Sequence, residues 1–241
     1  MTIVDAHWEL RNLGVTTQEV EIENSDKPAE IRKAILSLHS DYQVVKAPST
    51  NFEFYSLLSE FGFSFVEAMI RVSYSLKNLS CPPLIKRFSN EITYNEMDDS
   101  EIRLMQEQIK TGIFKTDRVA LDPWFSSSQA ANRYIMWMND ELTRGSKLFT
   151  YKYKGQPVGF SCIKETSANV YYPVLGGVYN SGKALPFGSV ILYKQLEIAR
   201  DLGGKDLYTY ISSNNPAVVR IYSTLGYIFE DFKYVFIKHK K

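Results

Sequence analysis

Residues 170–227 constrain the fold more than any other part of this sequence, because strand and helix patterns alternate along them. Apart from Pro173, residues 170–174 are β-branched or aromatic, which is typical of a strand. Residues 190–202 place apolar side chains three and four positions apart, which predicts a helix that Gly203 ends. A second strand at 207–211 and a short helix closing at 225–227 follow. This order predicts an α/β protein.

Glycines in this stretch mark places where the backbone comes close to another group. Gly176 and Gly177 follow the first strand, so an interruption, a bulge or a close approach is predicted there. Gly188 precedes the long helix, and Ser189 is its predicted N-cap. Because a helix start carries unpaired N–H groups and the positive end of the dipole, it suits a phosphate. The alternative is that Gly188 simply begins a packed helix.

The short helix has a defined start and carries a tyrosine. Asn215 followed by Pro216 suits an N-cap with proline at the first helical position. Tyr222 lies seven residues beyond Asn215, about two turns along this helix. Taken alone, a helical tyrosine belongs to the core more often than to a catalytic site.

The pattern of 215–217, Tyr222 and 225–227 resembles the acyl-CoA-binding half of the GNAT superfamily of N-acyltransferases. The resemblance implies a GNAT fold with a mixed central sheet and acetyl-CoA as cosubstrate. In that family a loop of the form (Gln/Arg)-x-x-Gly-x-(Gly/Ala) binds the CoA pyrophosphate. Here Lys183 and Gly188 match its ends, whereas Pro186 replaces the middle glycine and removes an N–H donor. The cofactor-binding residues implied are Gly177, Val178, Lys183, Gly188, Ser189 and Asn215.

Residues 1–79 repeat part of the pattern. The spacing from Asn51 to Gly62 equals that from Asn215 to Gly226, between two strand-like runs in each case. This predicts an internal duplication, in which 1–79 is a smaller, degenerate GNAT-like half domain. Chance similarity of two strand–helix–strand units is the alternative.

Paired prolines at 82 and 83 end regular structure and stiffen a connection. They predict a linker at 80–90, which leaves 91–241 as the acyltransferase domain.

A polar loop with large aromatic residues, followed by an aromatic helix, occupies residues 114–137. Such a segment suits a pocket wall that stacks on a sugar or base and binds its hydroxyls. The alternative is that Tyr134 and Trp137 pack into the core. This stretch holds no acidic cluster, which speaks against a basic peptide or metabolite acceptor. The predicted substrate-binding residues are Asp122, Trp124, Phe125, Arg133 and Tyr134.

With the N-terminal unit and residues 62–67, the chain is similar to the TDP-fucosamine acetyltransferase branch of the superfamily. These enzymes acetylate the 4-amino group of a nucleotide-linked 4-amino-4,6-dideoxygalactose. The resemblance therefore implies a small-molecule amine acceptor, a nucleotide-linked amino sugar.

The resemblance also implies direct transfer from acetyl-CoA to the amine. N–H groups near Gly177 and Val178 would hold the carbonyl oxygen. Tyr222 would protonate the departing thiolate as general acid, and Glu67 would act as general base through water. Because Asp231 holds the matching position in the other unit, Glu67 can also be an ordinary strand-end carboxylate. A non-catalytic CoA- or nucleotide-binding module, or a GNAT acting on a metabolite or peptide amine, stays open.

Composition limits the classes of partner, compartment and metal site that are expected for this protein. With 28 Lys and Arg against 27 Asp and Glu, the net charge of +1 disfavours nucleic-acid binding. No apolar run reaches the roughly 20 residues of a membrane span, and no export signal is visible. Cys81 and Cys162 are predicted to be reduced and buried, as in a cytoplasmic protein. Scattered histidines, with His239 in a tail expected to be solvated, predict no metal site. The sequence allows a homodimer.

Overall fold

The structure is a computed structural model that describes residues 1–180 and 187–240. Within these residues the chain forms eight α-helices and ten β-strands. The helices are α1 (Trp8–Leu13), α2 (Pro28–Ser37), α3 (Phe52–Glu60), α4 (Pro83–Glu91), α5 (Asp99–Lys110), α6 (Ser127–Thr143), α7 (Phe187–Asp201) and α8 (Pro216–Thr224). The strands are β1 (Thr2–Asp5), β2 (Thr17–Glu21), β3 (Tyr42–Pro48), β4 (Ser64–Ser75), β5 (Ile92–Glu96), β6 (Lys147–Tyr153), β7 (Gln156–Ser167), β8 (Val170–Val178), β9 (Asp206–Ser212) and β10 (Ile228–His239).

In the described chain all ten strands pair in one sheet, in the order β1-β2-β3-β10-β4-β9-β8-β7-β6-β5. The pairs β2–β3 and β8–β9 are parallel, and the other pairs are antiparallel. The predicted α/β class with a mixed central sheet is therefore confirmed. Helices α2, α3, α4, α7 and α8 bury their apolar sides on one face, while α1, α5 and α6 cover part of the other.

Local sequence explains where several helices begin. At α5, Asp98 and Glu101 form a capping box, in which each side chain accepts a hydrogen bond from the backbone N–H of the other. At α8 the Asn215 side chain accepts a hydrogen bond from the Val218 N–H at 3.2 Å, with Pro216 at the first position. The prediction for Ser189 is wrong, because α7 already begins at Phe187 and Ser189 is its third residue.

Strand β8 runs without a break from Val170 to Val178, so the predicted interruption is wrong. Its register against β7 shifts at Val174, two residues before Gly176. The predicted close approach is confirmed. A Cβ on Gly176 would lie 2.6 Å from Gln195 Nε2, and one on Gly177 would lie 2.9 Å from an atom of Phe160.

The unit β3–α3–β4 and the unit β9–α8–β10 match element by element. Each has elements of 7, 9 and 12 residues. The second unit follows the first at a constant offset, since β3 begins at 42 and β9 at 206, and β4 begins at 64 and β10 at 228. The duplication, and with it the domain limits 1–79 and 91–241, stay predictions that these matches support.

The two predicted units share the sheet. Strand β10 lies between β3 and β4, so the last strand of the chain completes the N-terminal unit. The predicted linker 80–90 contains most of α4, which packs against α7. The connection between the units is therefore structured.

The expected burial of the cysteines and the expected exposure of His239 can be compared with the structure. Cys162 is buried as predicted, whereas Cys81 is partly exposed. The solvated position predicted for His239 is wrong, because this residue ends β10 with its side chain 13% exposed. Across residues 1–180 and 187–240 no helix is long and apolar enough to cross a membrane. The same residues contain no group of three His, Cys, Asp or Glu side chains placed to hold a metal ion.

Candidate functional site

A gap in the sheet creates the site. Strands β8 and β9 are paired at Val170–Asp206 and Tyr171–Leu207 and then separate, although both strands continue. At the point of separation the Thr209 hydroxyl donates a hydrogen bond to the Pro173 carbonyl at 2.8 Å. Parallel strands that part in this way leave backbone groups and side chains facing an opening in the middle of the sheet.

This opening leads into a cleft of about 650 Å³ that reaches both sides of the sheet. One end, called the transfer end, lies between α7, α8 and the separated strands and is lined by Leu192, Gln195, Asn215, Val218 and Tyr222. The other end, called the acceptor compartment, is bounded by β2, β3, β4, α1, α6 and the segment 114–118. The volume lies within the range usual for small-molecule sites.

Tyr222 is a core residue that also lines the cleft. Its side chain is 4% exposed and makes an edge contact with Tyr227 at 4.6 Å between ring centroids. Burial, and to a lesser extent the neighbouring Tyr172, raises the pKa of the Tyr222 phenol well above its usual 10. At neutral pH this phenol stays protonated and is able to donate.

Glu67 lies in β4 and lines the same cleft. It is 7% exposed, and the Ser212 hydroxyl donates a hydrogen bond to its carboxylate. The Asn214 N–H donates in turn to Ser212 Oγ at 3.1 Å, which fixes the hydroxyl. Asp231, at the matching position of the other unit, is exposed and accepts a hydrogen bond from the N–H of Phe232. The two carboxylates therefore occupy different environments.

Of the six predicted cofactor-binding residues, Asn215 lines the cleft. Gly188 and Ser189 lie in the first turn of α7, where a Cβ on Gly188 would be 3.4 Å from Ile221. Gly177 and Val178 end β8 outside the cleft lining.

Lys183, together with Pro186, lies outside the described residues. Of the predicted pyrophosphate loop, the structure therefore describes Gly188, in the first turn of α7.

Gln195 is a residue of the transfer end that sequence analysis missed. It lies on α7, is 1% exposed, and its Oε1 has no hydrogen-bond partner among the described residues. A buried amide oxygen left unpaired is unfavourable, so a ligand N–H that reaches Gln195 would stabilise it. The sequence alone indicated a role for Gln195 only weakly, because a glutamine on a helix is usually solvated.

Charged residues in the acceptor compartment form pairs around two glutamates. Arg118 pairs with Glu19 at 2.7 Å, and Lys46 reaches the same carboxylate at 3.0 Å. Arg133 Nε lies 2.7 Å from the buried Glu9. Burial raises the pKa of Glu19, but Arg118 and Lys46 outweigh it and lower this pKa to about 2.

Aromatic rings form one wall of the acceptor compartment. Phe114 packs on Tyr134 with centroids 4.4 Å apart, and Tyr134 stacks on Trp137 at 6.3 Å. All three line the cleft, and Tyr134 is also largely buried, so the pocket-wall and core interpretations both apply. Burial first, and then Asp117, raises the pKa of the Tyr134 phenol.

No protein-family model and no curated protein sequence matches this chain. Solved structures do. A functionally unknown conserved protein from Staphylococcus epidermidis has a TM-score of 0.65 and 15% identity, over 94% of this chain and 84% of that one. A GCN5-related N-acetyltransferase from Kribbella flavida has a TM-score of 0.57 and 15% identity, over 94% and 82%.

A third match is a GCN5-related glucosamine N-acetyltransferase region in a fungal multi-domain GH3 β-N-acetylglucosaminidase. Its TM-score is 0.63 at 10% identity, over 82% of this chain and 25% of that one. The chain has the GNAT fold. At these identities the likeness establishes the fold, and activity is a separate question.

Three of the predicted substrate-binding residues lie outside the lining of the cleft in this GNAT fold. Asp122 Oδ2 is 2.7 Å from His239 Nε2, Trp124 stacks on the His239 ring at 4.6 Å, and Phe125 contacts it at 5.6 Å. They hold the loop before α6 against the end of β10. Arg133 and Tyr134, the other two, line the cleft.

Sequence analysis missed most of the acceptor compartment. Six carboxylates line the cleft: Glu9, Glu19, Glu21, Glu67, Asp117 and Asp140. The stretch 114–137 holds no acidic cluster, but this is no longer a ground against a basic acceptor, because the carboxylates of the cleft come from five separate elements and loops. A period-two signal was present in β2, where Glu19 and Glu21 alternate with Val20.

Proposed function

We propose that this protein is an acetyl-CoA-dependent N-acetyltransferase that acts on a small-molecule amine by direct transfer. The observation that carries the proposal is the separation of β8 and β9 beside Tyr222 and Glu67. One cleft through the sheet thereby joins a protonated phenol on one side to a buried carboxylate on the other. The fold shared with GCN5-related N-acetyltransferases supports it.

The transfer end has features that suit the pantetheine arm and pyrophosphate of acetyl-CoA. The unpartnered Gln195 Oε1 is available to an amide N–H of the arm. The glycines at 176 and 177 keep β8 free of side chains there. The first turn of α7, with Gly188 and Ser189, presents unpaired N–H groups to a phosphate. Lys183 and Asn215 complete the proposed set.

In the proposed reaction the acceptor amine first loses a proton, through water, to the Glu67 carboxylate. The neutral amine forms a bond to the thioester carbonyl carbon, and N–H groups near Gly177 and Val178 stabilise the carbonyl oxygen. The C–S bond then breaks, Tyr222 donates its proton to the thiolate, and the proton that the nitrogen gives up as the amide forms returns to Tyr222 through water. The products are the amide and free CoA.

For the acceptor, the nucleotide-linked 4-amino-4,6-dideoxy sugar stays the prediction drawn from resemblance. The aromatic wall of Phe114, Tyr134 and Trp137 supports a sugar, since flat rings pack against its apolar face. The glucosamine N-acetyltransferase region among the similar structures also acts, by its name, on an amino sugar. A small-metabolite amine is the second candidate, favoured by the six carboxylates of the cleft.

Free-thiol release from acetyl-CoA, measured with TDP- and UDP-linked amino sugars, free amino sugars, diamines and amino acids, tests the proposal. We expect release with one acceptor class and an acetyl-CoA-dependent rise in melting temperature. A rise in melting temperature with no release across the panel would indicate a binding module instead. The absence of both thiol release and a rise in melting temperature would contradict the proposal. The homodimer also remains a prediction, and light scattering during size-exclusion chromatography would measure the mass that tests it.

A further inference from the structure

The charges that line the cleft are unevenly paired. Its four cationic side chains each have a carboxylate partner, and none is left over among the described residues: Lys46 and Arg118 pair with Glu19, Arg133 with Glu9, and Arg144 with Glu141. Two of the carboxylates pair with cations outside the lining, Glu21 with Lys233 and Asp140 with Arg11. Glu67 and Asp117 have no cation within ion-pair distance in the described chain. Glu67 and Asp117 are therefore the lining carboxylates that no cation neutralises directly, whereas Lys46 and Arg118 share the single carboxylate of Glu19.

Asp117 is the more unusual of these two carboxylates. Its Oδ1 accepts the N–H groups of Val119 and Ala120, at 2.8 and 3.3 Å, and so holds the turn after Thr116. Its Oδ2 is buried and has no hydrogen-bond partner among the described residues. The phenol of Tyr134 interacts with the same carboxylate, and Oδ2 keeps acceptor capacity for a further donor, since a buried carboxylate oxygen without a hydrogen bond is unfavourable.

The surroundings of Asp117 suit an organic cation. The ring of Tyr134 lies between Phe114 and Trp137 along the same wall, and aromatic faces attract ammonium groups. The carboxylates of both Asp117 and Glu67 raise the pKa of Tyr134, after the larger effect of burial, so both act on the same compartment. Gln195, unpartnered at the opposite end, marks the side from which the acyl donor would come.

We propose that the acceptor carries a second cationic group besides the amine that is acylated, and that this group binds Asp117 against the aromatic wall. The inference rests on the proposed transferase activity and concerns the class of acceptor. The reacting amine lies at Glu67 and the distal ammonium at Asp117. Such an acceptor is a diamine, or an amino sugar with two or more amines.

A nucleotide diphosphate fits this compartment less well. Its two phosphates would have to compete with Glu9, Glu19 and Glu141 for the described arginines and lysine of the cleft, each of which already lies beside a carboxylate. Glu67 and Asp117 would in addition repel the phosphates. The charge distribution thus favours a cationic acceptor over a nucleotide-linked one.

Three amines of similar length, which differ at the far end, test this inference: 1,5-diaminopentane, pentylamine and 5-aminopentanoate. We expect kcat/KM for thiol release to be highest for the diamine, lower for pentylamine and lowest for 5-aminopentanoate. From the diamine to pentylamine it should fall by roughly tenfold or more, as for the loss of a hydrogen bond to a charged group. A TDP-linked 4-amino sugar serves as the fourth acceptor, and we expect it to be the poorest substrate of the series.

The variant Asp117→Asn separates binding of the cation from the turn. Asparagine keeps the Oδ1 acceptor for the two N–H groups and replaces Oδ2 with a donor. We expect the ratio of kcat/KM for the diamine to that for pentylamine to fall about tenfold. The matched control Asp206→Asn makes the same change at an exposed site on β9 and should leave this ratio as it is.

The outcomes are distinct. A preference for the anion or the nucleotide sugar, or an unchanged ratio in Asp117→Asn, overturns the inference and leaves the transferase in place. Thiol release with none of the four amines, nor with the wider acceptor panel, contradicts the proposed function, and the inference fails with it.

Discussion

The two strand–helix–strand units agree in their helix caps, in the glycine that ends each helix and in individual backbone hydrogen bonds. Helix α3 is capped by Asn51 and α8 by Asn215. Gly62 and Gly226 end these helices with φ of +78° and +84°, a conformation that favours glycine. The Ser49 N–H donates to the Phe232 carbonyl at 3.0 Å, and the Ser213 N–H donates to the Ala68 carbonyl at 2.8 Å. Each unit thus holds the last strand of the other in the same way.

The strands that precede the two units differ. In the N-terminal unit β2 pairs with β3 over five positions, from Thr17 to Glu21, whereas β8 pairs with β9 over two. On the helices, Leu58 is fully buried in its core cluster where Tyr222 faces the cleft. The comparison teaches that a site arises in one unit because the strand before it, β8, separates from β9, and that continuous pairing of β2 with β3 closes the corresponding place in the other.

The N-terminal unit still takes part in the site. Its unbroken β2 and β3 supply Glu19, Glu21 and Lys46, which form the floor of the acceptor compartment. The regular pairing of β2 with β3 keeps these side chains on one face of the sheet at a fixed spacing. One unit therefore provides the opening and the other a charged surface.

Replacement of the phenol that distinguishes α8 from α3 should have the largest effect. Because Tyr222→Phe removes the proposed acid, we expect turnover to fall by about 10²–10⁴-fold. Acetyl-CoA should still raise the melting temperature. The matched control is Tyr227→Phe, whose buried hydroxyl has no partner among the described residues. Full turnover in Tyr222→Phe would remove the main functional difference between the units.

The ion network on β2 is expected to contribute to stability. Glu19→Gln leaves Arg118 and Lys46 without their carboxylate, so we expect a loss of roughly 2–3 kcal/mol in the free energy of unfolding at pH 7. Urea denaturation measures it. Glu60→Gln, at an exposed pair with Arg32, is the control and should change stability by about 0.5 kcal/mol or less.

The same variant has a pH signature. The pKa of Glu19 is lowered from 4.5 to about 2 in the folded protein, so its stabilising contribution is complete above pH 4.5 and is lost as pH falls toward 2. The wild type should lose stability over that interval, and Glu19→Gln should lose less. Parallel curves for the two proteins would show that Glu19 is not held by these pairs.

The matching carboxylates of the two units give a third test. Glu67→Gln should lower kcat/KM by about 10- to 100-fold, at the lower end of the effects of a general base, because Glu67 acts through water. Asp231→Asn, at the exposed equivalent, should leave kcat/KM within error. If the two variants behaved alike, Glu67 would be an ordinary strand residue.

The helix caps should give the smallest effects. Asn51→Ala and Asn215→Ala each remove one cap and should each cost about 1 kcal/mol of stability. Only Asn215 lines the cleft, so only its variant should also reduce the rise in melting temperature with acetyl-CoA. Equal responses to acetyl-CoA would place Asn215 outside the cofactor site.

Much of the second unit could be predicted from sequence because its signals are local. The cap at Asn215, the glycine turn at Gly226 and the position of Tyr222 on a helix follow from the order of neighbouring residues. The equal spacing in the first unit was visible for the same reason. The N-cap at Ser189 was misplaced, since helix ends are less defined by sequence than helix interiors.

The site itself was less predictable. The aromatic and polar character of the loop suggested that Asp122, Trp124 and Phe125 bind the substrate. In the structure His239, the last residue of β10, contacts all three, and they hold the end of that strand instead. Glu9, Glu19 and Asp117 converge from α1, β2 and a loop, far apart in the chain.

By itself the sequence determined the strands and helices of residues 170–227, the cap at Asn215 and the repeated spacing from asparagine to glycine, because hydrophobic period and turn chemistry act over a few residues. Tertiary structure alone decided that β8 and β9 part after Tyr171 and that β10 lies between β3 and β4. It also decided that two carboxylates face the cleft without a cation. These outcomes depend on which strands meet, and strand pairing joins residues far apart in the chain.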